Sequence, residues 1–141
     1  MIDVVVDTNV LMAALIKPGG PNRLALRAVL DPRTPLHLCY SSQIADEYAD
    51  VLRRYPIVSR GLLSEADALL RLVLDVGEEI VPKYLPAIVY PDDKDRPFLE
   101  AAVYAGGILL TNNLKDFPFL GVTVIAPEEF LAWCQETGVV C

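Results

Sequence analysis

Histidine occurs once in this chain, at His37, and cysteine three times, at Cys39, Cys134 and Cys141. An odd number of cysteines without a CxxC pair suggests neither a disulfide framework nor a zinc site, which leaves core or surface thiols. His37 sits inside "LHLCY" and reads as a packed or edge residue rather than a catalytic base. Gly-x-Ser-x-Gly, the P-loop and Gly-x-Gly-x-x-Gly are all missing, so serine-hydrolase triads and nucleotide cradles have little support. No apolar run reaches the ~18 residues of a membrane span. No Lys or Arg precedes Lys17, so the basic start of a secretory signal is lacking and a cytoplasmic protein is expected. Basic residues are a minority, 12 against 19 acids for a net charge of −7. That balance argues against coating nucleic acid by charge alone, yet permits an enzyme that meets nucleic acid through a bound metal.

What is abundant is apolar: 53% of 141 residues, enough for one domain with a sizeable core. Apolar runs and breakers predict a strand over 2–6, helices over 9–16 and 22–30 around "KPGGP", and a strand over 36–40. Ser41 and Ser42 then cap a helix to residue 55, just before Pro56, and Ser64 caps another that ends near Gly77. A short third strand in "EEIVPKY" leads to the polar loop "LPAIVYPDDKDRP". A helix over 98–105 stops at Gly106-Gly107, "ILLT" and "VTVIA" are strands four and five, and Pro127 opens a last helix to about residue 136. There is no repeat and no linker, so 1–141 reads as a single domain. Strands of continuous apolar character alternating with helices predict an α/β fold: a three-layer α/β/α sandwich with a central parallel sheet of about five strands.

The acids fall where such a sheet binds ligands, outside the carboxyl ends of its strands. Asp7 ends the first strand, and a carboxylate buried there needs a partner. In the helix after strand two, at about 100° per residue, Ile44, Tyr48, Val51, Leu52 and Tyr55 form an apolar arc. Glu47 lies at the edge of that arc and looks toward the sheet, whereas Asp46 points away. Asp95 has two readings, an N-cap for the helix that Pro97 opens or a functional acid, with Asp92 and Asp93 as exposed loop charges. Asp116, in "TNNLKDFP", is either a turn residue or a fourth acid. Four converging carboxylates repel one another, and a hard divalent cation is the ordinary way to hold them charged. Oxygen ligands without His or Cys favour Mg²⁺ or Mn²⁺. Such an ion suits phosphodiester hydrolysis, because it lowers the pKa of water and stabilises charge developing on phosphate.

"VVVDTNVLMAAL", Glu47 after the second strand, "DRPFLEAAVYAGGILLTNNLKDFP" and "VTVIAPEEFLAW" together resemble the PIN domain, in particular the PilT N-terminal-like toxins of VapBC-like toxin/antitoxin modules. The similarity runs over nearly the whole chain. It implies a Mg²⁺- or Mn²⁺-dependent ribonuclease with an acidic pocket at the carboxyl edge of a parallel sheet. By position, Asp7 matches the first acid, Glu47 the second and Asp95 the third. Many relatives place an Asp directly after a "TN" pair, where this chain has Asn113, so Asp116 is the carboxylate available as the fourth. With that charge missing, one firmly held ion is expected, mainly on Asp7 and Asp95 and completed by Glu47 and Asp116. Thr8, Asn9 and Thr111 are placed to orient carboxylates or water, with Asn113 a neutral helper. Arg23 and Arg27, four apart on one helix face, are the candidates for touching phosphate, against the plainer reading of a solvated face.

The resemblance also implies a small antitoxin partner that covers the acidic pocket, and a homodimer. The leucine-rich stretch 62–74 serves either as a dimer face or as core. Two other functions compete. A haloacid-dehalogenase-like phosphatase also ends its first strand in Asp but needs Asp-x-Asp, and Asn9 occupies the second position. A degenerate PIN-like module would bind RNA or protein without cutting, which Asn113 makes arguable and the retention of Asp7, Glu47 and Asp95 opposes.

Overall fold

Val4, Val5 and Val6 are fully buried, as a strand covered on both faces requires. The computed structural model describes residues 1–84, 93–114 and 122–139. Its elements in chain order are β1 (Ile2–Val6), α1 (Thr8–Ile16), α2 (Pro21–Leu30), β2 (Leu36–Tyr40), α3 (Ser42–Val51), α4 (Tyr55–Val58) and α5 (Leu63–Val76). Then follow β3 (Glu78–Glu79), a 3₁₀ turn (Asp93–Asp95), α6 (Arg96–Ala105), β4 (Ile108–Leu110), β5 (Thr123–Ile125) and α7 (Pro127–Thr137). The five strands form one sheet of order β3-β2-β1-β4-β5, with every pairing parallel. Helices flank it: α6 packs on β1, β2 and β4, while α2 packs on β2 and α7. The expected α/β class and five-stranded parallel sheet are therefore present.

The chain steps outward from β1 to β2 and β3, then crosses back to place β4 on the other side of β1. That reversal opens a crevice beyond the carboxyl ends of β1 and β4, the place where open parallel sheets take ligands. Residues 7 and 111 immediately follow those two strands.

Two local expectations are corrected. The helix after β2 ends at Val51 instead of residue 55, and Pro56 lies in the short separate helix α4. Proline lacks an N–H and its ring collides with the carbonyl four residues back, so the longer helix must stop first. Ser64 is not a cap: α5 begins at Leu63, with Leu62 in the cap position and no side-chain bond there. Gly61, at φ +66°, turns the chain into that start, and Leu62 packs against the core. In α5, Ala66 and Val73 are buried while Leu63 and Leu72 stay exposed, so one face of the leucine-rich stretch is core. The loop acid Asp92 and the site candidate Asp116 lie outside the described residues. Among the described residues, no helix is long and apolar enough to cross a membrane.

Gly107, just before β4, lies hard against the backbone of β1. A Cβ built there would meet the backbone oxygen of Asp3 at 2.1 Å, and backbone cannot rotate out of the way. Gly107→Ala is expected to cost about 1–3 kcal/mol, as overpacking does; an unchanged urea midpoint would refute this.

Cys39 and Cys134 are buried free thiols. Burial, and then the Asp3 carboxylate 3.6 Å from its sulfur, push the Cys39 thiol up to about 12. Because the folded value is raised, this group's contribution to stability is complete below the unfolded thiol pKa and is lost as pH climbs from about 9 toward 12. In metal-free buffer, the thermal midpoint of Cys39→Val should therefore fall less steeply over that window than that of the parent. Parallel curves would refute the assignment.

Candidate functional site

Asp7 is the first residue past β1, and its N–H donates to the Leu110 carbonyl at 2.9 Å, which locks it against the end of β4. The residue is 7% exposed. Oδ1 accepts from the Thr8 N–H at 2.7 Å, and Oδ2 accepts from the Thr111 hydroxyl at 2.7 Å and from Asn9 Nδ2 at 3.2 Å. All of these donors are neutral, and all favour the charged carboxylate. The amino end of α1, which Asp7 caps, favours negative charge as well. Thr8, Asn9 and Thr111 are thus among the partners that a carboxylate buried at this strand end requires. Beside it, the buried hydroxyl of Thr8 has no hydrogen-bond partner.

The "TNN" that follows β4 is fastened to the other side of the crevice. Asn112 donates to Asn9 Oδ1 through its N–H at 3.2 Å and through Nδ2 at 3.3 Å, and Nδ2 also reaches Asn22 Oδ1 at 2.8 Å. Asn113 donates its N–H to the Thr111 hydroxyl at 3.0 Å, and the residue is otherwise exposed. Asn22 and Asn112 were not singled out by sequence. Asx side chains that join the segment after β4 to the first turns of α1 and α2 make long-range contacts that no local spacing announces.

Glu47 is half-buried and Asp46 exposed, as helical geometry requires. The next residue, Tyr48, is fully buried and joins three segments. Its hydroxyl donates to the Val6 carbonyl, one residue before Asp7. Its ring lies against Phe98, three residues past Asp95, with centroids 6.3 Å apart. Burial first, and then the charge of Asp7, push the phenol far above its ordinary range, so it stays a neutral donor. Sequence placed Tyr48 only in the apolar arc; burial of its hydroxyl next to an end carbonyl is what makes it a joint.

Asp95 occupies the position before α6, but in a helical conformation (φ −81°, ψ −19°) and with no side-chain capping bond. The capping reading is therefore not the one realised. Asp93 is exposed, its Oδ1 3.5 Å from Arg96 Nη2, and the Arg96 guanidinium stands 5.0 Å over the Tyr84 ring. One turn deeper, Glu100 is 5% exposed, a buried carboxylate that sequence reading passed over. Its four-residue spacing from Arg96 on α6 was the available signal. Glu100, Arg96, Asp93, Ser41 and Tyr84 line one cleft at this edge.

Arg23 and Arg27 are exposed and line a separate apolar groove with Leu26, Leu69 and Leu72. Asn22, next to Arg23, is the α2 residue tied to the acid edge. Among the described residues, one group of three His, Cys, Asp or Glu ligand atoms lies within 4.8 Å of one another, and it is Asp3, His37 and Cys39. Asp7, Glu47 and Asp95 stand further apart than that. Of the four expected acids, three occupy the crevice end of β1, the edge of α3 and the entry to α6; these could hold an oxygen-seeking cation and its waters.

Comparison with known proteins agrees with this architecture. Residues 3–115 match the family model of the PIN domain. A chain of VapBC2 from Rickettsia felis, solved bound to a DNA fragment from its promoter, superposes with a TM-score of 0.59 at 15% identity, covering 88% of this chain and 98% of that one. A chain of DNA-bound VapBC from Salmonella typhimurium gives 0.56 at 17% identity, covering 90% and 99%. At these identities the likeness is one of fold. None of the curated proteins compared matches significantly.

Proposed function

Since the chain belongs to the PIN-domain family, we propose that it is a divalent-metal-dependent ribonuclease that hydrolyses RNA phosphodiester bonds, acting as the toxin of a toxin/antitoxin pair. The observation that carries this reading is Asp7. Its carboxylate is buried where the strand order switches, just past the ends of β1 and β4, the place where open parallel sheets take ligands.

The donor set fits Mg²⁺ or Mn²⁺. Every candidate ligand is a carboxylate oxygen, and the unpartnered Thr8 hydroxyl beside Asp7 suits one of the waters such ions retain. Asp7, Glu47 and Asp95 would hold the ion, with Asp116 the fourth candidate. When bound, the ion supplies a lowered water pKa and counter-charge for the phosphate. The chain's own part is orientation: Thr111 and Asn9 fix the Asp7 carboxylate, and Tyr48 holds the end of β1 against α3 and α6. The antitoxin partner is supported by the fold shared with chains of two VapBC complexes. An antitoxin covering the pocket would have to answer its negative charge with a basic side chain.

End-labelled tRNA and single-stranded RNA, incubated with pure protein and Mn²⁺ or Mg²⁺, should be cut to 5′-phosphate and 3′-hydroxyl ends, and EDTA should stop the cutting. RNA that is bound but left intact with both ions would favour the non-catalytic PIN-like module, for which the exposed Asn113 in an acid's place is the argument.

A further inference from the structure

The opposite half of the sheet carries a second polar group. Asp3 and His37 are register partners across β1 and β2, and Cys39 follows His37 by two residues. The pleat therefore places all three side chains on one face. One ligand atom from each lies within 4.8 Å of the others, and Cys39 Sγ is 3.6 Å from Asp3 Oδ1. Glu78, the β3 partner of Cys39, has Oε1 3.1 Å from His37 Nε2.

We propose that Asp3, His37 and Cys39 form a binding site for a borderline-soft transition-metal ion of the Zn²⁺ class, separate from the acid pocket. Thiolate and imidazole select such an ion over Mg²⁺ or Mn²⁺. Cys39 and Asp3 together supply the two negative charges that balance a dication, and binding releases the thiol proton to solvent. Bond lengths of about 2.0–2.3 Å place tetrahedral ligands about 3.4–3.7 Å apart, a separation that Cys39 and Asp3 already have. A ring nitrogen of His37 lies within 4.8 Å of both, on the third side. With Glu78 taking an Nε2–H, Nδ1 would be the ligand nitrogen, the carboxylate–histidine–metal relation that orients imidazoles in metal sites. Cys39 is 2% exposed, whereas the His37 side chain keeps 26%, so the site opens to solvent past the imidazole. Asp3 lies four residues before Asp7 along one strand, about 13 Å at the strand rise, so one ion cannot serve both places. A bound ion would tie β1 to β2 and, through Glu78, hold the two-residue edge strand β3. Spacing alone suggested no such site, because Asp3 and His37 meet only through strand pairing.

The test uses reduced, metal-free full-length protein titrated with Co²⁺, a spectroscopic stand-in for Zn²⁺. A sulfur-to-cobalt charge-transfer band should grow to saturation at one equivalent and be erased by Zn²⁺. It should vanish in Cys39→Ser and His37→Gln, and persist in Cys134→Ser and Asp7→Asn. No sulfur band in the parent protein, a band surviving in Cys39→Ser, or one lost in Asp7→Asn would each overturn the proposal. The parent titration decides even if a variant fails to fold, and it is independent of RNA cleavage.

Discussion

Asp7→Asn should lower metal-dependent RNA cleavage by more than about 100-fold, because deleting a ligand charge must exceed the 10–100-fold cost of deleting an outer hydrogen-bond partner. The fold should survive. An asparagine keeps one oxygen to accept the Thr8 N–H, and its new N–H₂ meets the Thr111 hydroxyl oxygen, which can accept, so that chiefly the Asn9 Nδ2 bond is lost. Asp7→Ala is a different experiment. It strands the Thr8 N–H, the Thr111 hydroxyl and the Asn9 amide, at about 1–3 kcal/mol for each donor left buried. A melting curve beside the cleavage assay separates the two effects. Cleavage by Asp7→Asn within about tenfold of the parent, at equal stability, would remove Asp7 from the reaction and with it the reading of the crevice as a nuclease site.

The largest stability effect should come from Tyr48. Truncation to alanine empties a fully buried aromatic position in contact with Phe98 and should cost about 3–5 kcal/mol. For a chain of this size that is roughly 10–20 °C in Tm. Tyr48→Phe keeps the ring and removes only the donor to the Val6 carbonyl, at about 1–3 kcal/mol. The milder variant also reports on function, since it frees the end of β1 from α3 without touching any acid. Its cleavage rate should drop with its fold intact. Parent-like Tm values for both variants would show that this joint carries no load.

Local periodicity is why so much of the fold was legible. Continuous apolar runs such as 2–6 and 36–40 mark strands buried on both faces, and the 3.6-residue period put Glu47, not Asp46, on the inner side of α3. Helix ends were less legible, since Pro56 and the turn at Gly61 compete with serine caps through packing that spacing does not reveal.

What the sequence determined by itself was therefore the order and type of the strands and longer helices, the parallel sheet, and the placing of Asp7 at a strand end. Only the tertiary structure decided what those residues touch. Thr111 reaches Asp7 across 104 residues because β4 pairs with β1, and Tyr48 reaches Val6 across 42 because α3 folds over that strand's end. Asp95 makes no side-chain capping bond, Glu100 goes under, and Asp3 meets His37 and Cys39. Each of these depends on strand order and register, which are set by burial summed over the whole chain, whereas the patterns visible along a sequence reach only a few residues.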